Sequence, residues 1–158
     1  MASLKIRAVY TSPLERAIET AEPIARVQGL APQVVEGLGE MNVGNWEGRT
    51  IAELEDREDW RRFNTFRSGM RPPGGELMIE TQTRMIQQLE CFTTRHPGGI
   101  VAVVSHGDPL RSVIAFYLGV SLESMLHFEV GPASLSVIQA GDWGARVLCV
   151  NQTEEIPV

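Results

Sequence analysis

The chain has 158 residues, 43% apolar and 22% charged, with 20 acidic against 14 basic side chains and a net charge of −6. That length and balance fit one globular domain, expected over 1–158, which can bury a core without disulfides or a structural metal. The negative charge repels nucleic acid and anionic membranes at long range, so an anionic ligand must be held in a local pocket. Cys91 and Cys149 have no metal-ligand spacing, and two lone thiols in a chain this long point to a reducing cytosol. Met1 to Arg7 lack the apolar run of a secretory signal, and no later stretch approaches a membrane span, so a cytoplasmic protein is expected.

Leu4 to Tyr10 combine alternation with a short apolar run and lead into Thr11-Ser12-Pro13, which reads as a strand entering a helix. Ser12 and Glu15 have the spacing of a capping box, and Pro13 suits a first helical position. Leu14, Ala17, Ile18, Ala21 and Ala25 form the inward stripe; Pro23 predicts a kink or early end, and Gly29 closes the segment. Val34 and Val35 suggest a short strand. Residues 37–48 are glycine-spaced and irregular, as in a loop shaped for a ligand.

Thr50 and Glu53 form a second capping box, opening a charged helix to about Arg67. Arg71-Pro72-Pro73-Gly74-Gly75-Glu76 breaks the chain. Leu77 to Thr94 then read as an amphipathic helix with Met78, Met85, Ile86, Leu89 and Phe92 near one face, the methionines serving as core. From Gly99 to Val104 the apolar run shows no alternation, which implies a parallel strand covered on both faces. It ends in Ser105-His106-Gly107. Asp108-Pro109 restarts a helix through Leu118, with Gly119 at its end. Ser134 to Gln139 and Arg146 to Val150 read as closing strands around the turn at 141–144.

Strands alternating with helices predict a three-layer α/β/α fold with a mostly parallel central sheet. In such sheets ligands bind beyond the carboxyl ends of the strands. One strand delivers Ser12 and, a turn later, Arg16; another delivers His106. If the two are neighbours, they share a crevice with helix N-terminal N–H groups, which suits a phosphate. Glu40 lies in the irregular loop with no capping geometry to explain it. Asp108 is either a helix cap or an acid, the cap being favoured. Trp46 reads as a packing anchor and His127 as a partly exposed structural residue.

Several separated segments resemble the histidine phosphatase, phosphoglycerate-mutase-like superfamily, in the family's order and over nearly the whole chain. Tyr10-Thr11-Ser12-Pro13-Leu14-Glu15-Arg16-Ala17-Ile18-Glu19-Thr20-Ala21 is similar to its SPLxRAxxTA segment. Leu38-Gly39-Glu40 through Trp46-Glu47-Gly48 resembles its glycine-spaced loop. Pro73-Gly74-Gly75-Glu76 resembles its PGGE turn, with Leu77 where the family often has serine. Val103-Val104-Ser105-His106-Gly107 and Phe128 to Ser134 complete the match.

The resemblance implies a phosphomonoester hydrolase in which a histidine attacks phosphorus and water resolves the phosphohistidine, with no metal and no cofactor. It makes Arg16 an arginine on the phosphate, His106 the second histidine, catalytic and on the phosphate, and Glu40 the catalytic proton donor, with Ser12 as a further phosphate-binding residue. The short stretch from Gly48 to Pro72 resembles the phosphatases more than the glycolytic mutases. Expected partners are small phosphorylated metabolites, not nucleic acid or membrane, with homo-oligomerisation left open.

The family's leading strand, which ends in Arg-His-Gly and supplies the nucleophile, has no counterpart before Leu4, so this chain is expected to be impaired. Arg95-His96-Pro97-Gly98 is rejected as a substitute because it ends a helix away from the crevice. The absent strand belongs between the His106 strand and the one near Ser134. Those two strands are therefore expected to close up, to admit another chain, or to leave the fold marginal. The alternative function is an inactive phosphate-binding or regulatory module.

Overall fold

The computed structural model describes residues 4–153; Met1 to Ser3, on which the reading of the N-terminus partly rests, lie outside the described residues. Strand β1 (Ile6–Thr11) lies between β2 (Pro32–Val34) and β3 (Ile100–Val104), parallel to both. Its side chains serve two faces, as strand periodicity requires. On one, Val9 packs with Ala102 against Ala21 and Ala25 of α1 (Glu15–Val27), joined by Ile6 across a register irregularity between Ile6 and Ala8. On the other, Ala8 and Tyr10 meet Met85, Ile86 and Phe92 of α4 (Met78–Arg95) and Val113 of α5 (Gly107–Leu118). The Tyr10 and Phe92 rings stack with centroids 3.7 Å apart. The result is the expected α/β/α layering. Ala17, Ala21 and Ala25 are all buried, and their small side chains let α1 lie close to the sheet.

Between the layers and the loops, α2 (Ile51–Leu54) and α3 (Glu58–Thr65) replace the single charged helix expected from Thr50 to Arg67. The Thr50–Glu53 box is present. The break after Leu54 is accommodated because the Arg61 guanidinium donates to the carbonyls of Glu55 and Asp56, which the helix has left without partners. Leu54 and Phe63 face inward with Met41, Trp46, Met78 and Met125, a second core beneath the irregular loop. Trp46 meets Trp60 and Phe63 edge-on, with centroids 5.3 and 5.4 Å apart, and so anchors the loop as anticipated.

The glycines of that loop are needed for close approach. At Gly44, where φ is +56°, a Cβ would lie 2.3 Å from the Pro73 carbonyl oxygen; at Gly75 it would lie 2.4 Å from that of Asn42. The loop and the Pro-Gly-Gly turn are thus packed backbone to backbone.

Two expectations for α1 need correction. The helix does not end early at Pro23 but runs to Val27, and Gly29 closes the segment as expected, with φ +68°. At its start the Ser12–Glu15 box is not made: Leu14 is the capping residue and accepts no side-chain bond. Ser12 has a different partner, described below. By contrast, α4, β3 and α5 agree with their expected spans to within about a residue, well inside normal boundary scatter.

Strands β4 (Leu135–Gly141) and β5 (Gly144–Gln152) form an antiparallel hairpin separate from the three-stranded sheet. Ile138 packs with the cluster of α4, α5 and β1. Among the described residues, β3 pairs with β1 alone and no ladder joins it to β4. The two strands flanking the expected gap have not closed up. No helix is long and apolar enough to cross a membrane among the described residues.

Candidate functional site

The β1 and β3 ladders end level, Thr11 opposite Val104, and the Ser12 N–H extends the pairing by donating to the Val104 carbonyl at 2.9 Å. This alignment brings the two strand-end motifs together. His106 leaves β3 in extended conformation and is the residue on which α5 begins. Its side chain is 4% exposed, with Nε2 2.7 Å from Ser12 Oγ and Nδ1 3.8 Å from Glu40 Oε2. Arg16, in the first turn of α1, places Nη2 3.6 Å from the same Glu40 oxygen and stays largely exposed. Arg16, Glu40 and His106 therefore meet where both strands end, beside the first-turn N–H groups of α5.

Burial pushes the His106 pKa down to about 4, and the charges of Arg16 and Arg84 act in the same direction. The imidazole is accordingly neutral at pH 7. Glu40 shifts the other way. Burial raises its pKa against a bond from the Met41 N–H, Asp108 adds to the rise, and Arg16 and Arg84 oppose it. A carboxyl with a raised pKa beside a neutral imidazole and an exposed guanidinium is equipped to donate a proton next to a bound oxyanion.

Ser12, expected on the phosphate, does not open on the crevice. It is fully buried; its hydroxyl lies on His106 and accepts the Leu14 N–H at 3.3 Å. Asp108 is not a cap, because α5 starts at Gly107, two residues earlier than a cap at Asp108 requires, and His106 occupies the capping position. The Asp108 carboxylate instead takes Arg67 Nη1 at 2.7 Å and Arg111 Nη1 at 3.5 Å. Arg67 is 5% exposed and lies 4.4 Å over the Phe63 ring.

Arg84 escaped the sequence reading. From α4 its Nη1 donates to the carbonyls of Gly37 and Gly39, both at 2.9 Å, and its Nη2 to that of Glu40 at 3.0 Å. The same guanidinium pairs with Glu76 at 2.8 Å, whose carboxylate also accepts the Asn42 N–H. Glu76 thus ties the Pro-Gly-Gly turn to the loop carrying Glu40. The available signal was a charge adjoining the apolar stripe of α4, next to Met85. Among the described residues no second histidine joins His106: His96 Nε2 lies 2.8 Å from the Tyr10 hydroxyl, and His127 is exposed. Nor does any group of three or more His, Cys, Asp or Glu among them suit a metal ion.

Comparison with known proteins places this geometry in context. The chain is 33% identical over 150 residues to a bifunctional protein of Mycobacterium tuberculosis, covering 94% of this chain but only 41% of that one. It is 32% identical to phosphoserine phosphatase 1 of Hydrogenobacter thermophilus, covering 92% of this chain and 70% of the relative. The alpha-ribazole phosphatase of Shigella flexneri superposes with a TM-score of 0.78 at 27% identity, covering 95% of this chain and 74% of that one. The YhfR structure from Bacillus stearothermophilus reaches 0.90 at 24% identity, covering 96% and 77%, and at that identity supports the fold alone. The model of histidine phosphatase superfamily branch 1 matches residues 1–153, and the chain belongs to that superfamily.

Proposed function

We propose that the crevice grips the phosphate of a small phosphomonoester and supplies the supporting groups for its hydrolysis through a phosphohistidine, the attacking histidine having no counterpart at the crevice among the described residues. The observation that carries this is the convergence of Arg16 and His106 on Glu40, at 3.6 and 3.8 Å, beyond two parallel strand ends. Arg16 offers a fork of donors to non-bridging oxygens. Neutral His106 adds a donor without adding charge. Glu40, kept protonated further up the pH scale than an ordinary glutamate, is placed to supply the proton to the leaving oxygen when a histidine nitrogen bonds to phosphorus and the P–O bond breaks. As a carboxylate it would then accept a proton from the water whose oxygen bonds to phosphorus as the P–N bond breaks, releasing phosphate and the free histidine. Relatives named for phosphoserine and alpha-ribazole phosphatase activities support small phosphomonoesters as the substrate class. The short stretch from Gly48 to Pro72 favours hydrolysis over mutase chemistry.

A second reading, a phosphate-binding module without turnover, is favoured by the lack of a second histidine at the crevice among the described residues. The deciding experiment is a phosphorus NMR titration with inorganic phosphate, run beside hydrolysis of p-nitrophenyl phosphate and trapping of acid-labile phosphohistidine. Binding lost in Arg16→Ala and His106→Ala, together with a trapped phosphohistidine, supports the hydrolase. Binding without turnover supports the module. If wild type binds no phosphate, both readings are overturned.

A further inference from the structure

We infer that Ser12 is a positioning residue: its hydroxyl fixes His106 in the tautomer that carries its proton on Nδ1, and so aims the ring's one N–H at Glu40 and the crevice. The argument is a donor count. Ser12 is fully buried, and its Oγ already accepts the Leu14 N–H, so its own proton needs an acceptor within the protein. Among the described residues the acceptor it meets is His106 Nε2, at 2.7 Å; the adjacent Thr11 hydroxyl donates to the Ser12 carbonyl and leaves this contact alone.

Were the proton on Nε2, the ring would donate to Oγ, and the serine proton would be buried without a partner. With the proton on Nδ1, Nε2 accepts the serine proton and Oγ keeps the Leu14 N–H, so no buried group of the Ser12 contact is left without a partner. Nδ1–H then faces Glu40 Oε2 at 3.8 Å, too far for a direct bond. Its hydrogen bond is left to an acceptor entering the crevice. The charged groups around the ring are Glu40, Arg16 and Arg84, while Asp108, two residues on, is engaged with Arg67 and Arg111. The backbone bond from Ser12 N–H to Val104 holds the hydroxyl in register with the ring. Only the ligand-binding consequence rests on the phosphate reading; the tautomer does not.

The test is long-range proton–nitrogen NMR of the histidine rings in the full chain at neutral pH, for wild type, Ser12→Ala and Ser12→Thr, with His96 and His127 as internal references. Wild type and Ser12→Thr should show protonated Nδ1 and bare Nε2 at His106. Ser12→Ala should lose that pure state and bind inorganic phosphate about tenfold more weakly. A wild-type ring with its proton on Nε2, an imidazolium, or a tautomer unmoved by Ser12→Ala overturns the inference. Should Ser12→Ala fail to fold, wild type and Ser12→Thr decide, since loss of the Nδ1–H form in either overturns it. The stated tautomer in a protein that binds no phosphate would support the role of Ser12 while overturning the proposed function.

Discussion

Arg84 and Glu76 are joined by two contacts, Nη2 to Oε1 at 2.8 Å and Nε to Oε2 at 3.3 Å, and through this pair the loop carrying Glu40 is tied to α4. Burial disfavours the Glu76 charge, but bonds from Arg84 and the Asn42 N–H outweigh it and hold the carboxyl below its ordinary pKa. The contribution is present above about pH 4.5 and is lost as the pH falls through the depressed value.

Replacing Arg84 with alanine should therefore lower unfolding free energy by about 2 to 4 kcal/mol, since it leaves three carbonyls and a carboxylate short of donors. Arg84→Lys should recover less than half, because an ammonium cannot fork to partners on both sides. Urea denaturation measures both, and a fully stable lysine variant would rule out the geometric account.

For His106, the sign of the pH effect follows from a folded pKa of about 4 against 6.5 for the unconstrained group. Between those values the unfolded chain binds the extra proton, so stability is full above about pH 6.5 and declines toward pH 4, by up to about 3 kcal/mol. His106→Gln should flatten that part of the pH–stability curve. An equally steep curve in the variant would assign the effect to other groups.

Arg16 separates binding from folding. Its side chain is 61% exposed, so Arg16→Gln should change stability by no more than about 0.5 kcal/mol. The same substitution should raise the Glu40 pKa further, because Arg16 opposes the rise, and should weaken phosphate binding. Carboxyl carbon NMR of Glu40 through a pH titration reads the first effect. A Glu40 pKa unmoved or lowered in Arg16→Gln would show that the guanidinium is not held where Glu40 senses it.

Asp108 keeps a nearly buried arginine paired. Asp108→Ala should cost about 3 kcal/mol by stranding Arg67, while Asp108→Ala with Arg67→Met should cost less than the sum of the single changes. Denaturant midpoints for the four proteins complete the cycle. Strict additivity would mean that the 2.7 Å contact carries no coupling.

The sequence made α4, β3 and α5 legible because their signals are local: an apolar stripe, an unbroken apolar run, a terminal glycine. It also brought Arg16, Glu40 and His106 forward together, through motif order. Ser12 reads as a cap because a strand end followed by Pro13 offers two partners for one hydroxyl, and the choice is made by His106, 94 positions away. Arg84 was hidden for a related reason. Most of its acceptors are backbone carbonyls, which have no sequence identity, and they lie 44 to 47 positions upstream. The break between α2 and α3 depends on Arg61 reaching back to carbonyls that a helix would have satisfied.

The strand that presents His106 is laddered on one side only among the described residues. Its opening free energy should be lower than that of β1, which is flanked on both sides, and its amides should exchange sooner. An anion that binds only the closed form stabilises it by RT ln(1 + [L]/Kd). Part of any affinity measured at His106 is therefore spent holding the end of β3 in place. Saturating ligand should slow hydrogen exchange in β3 more than in β1, making this strand the most sensitive reporter of an occupied site.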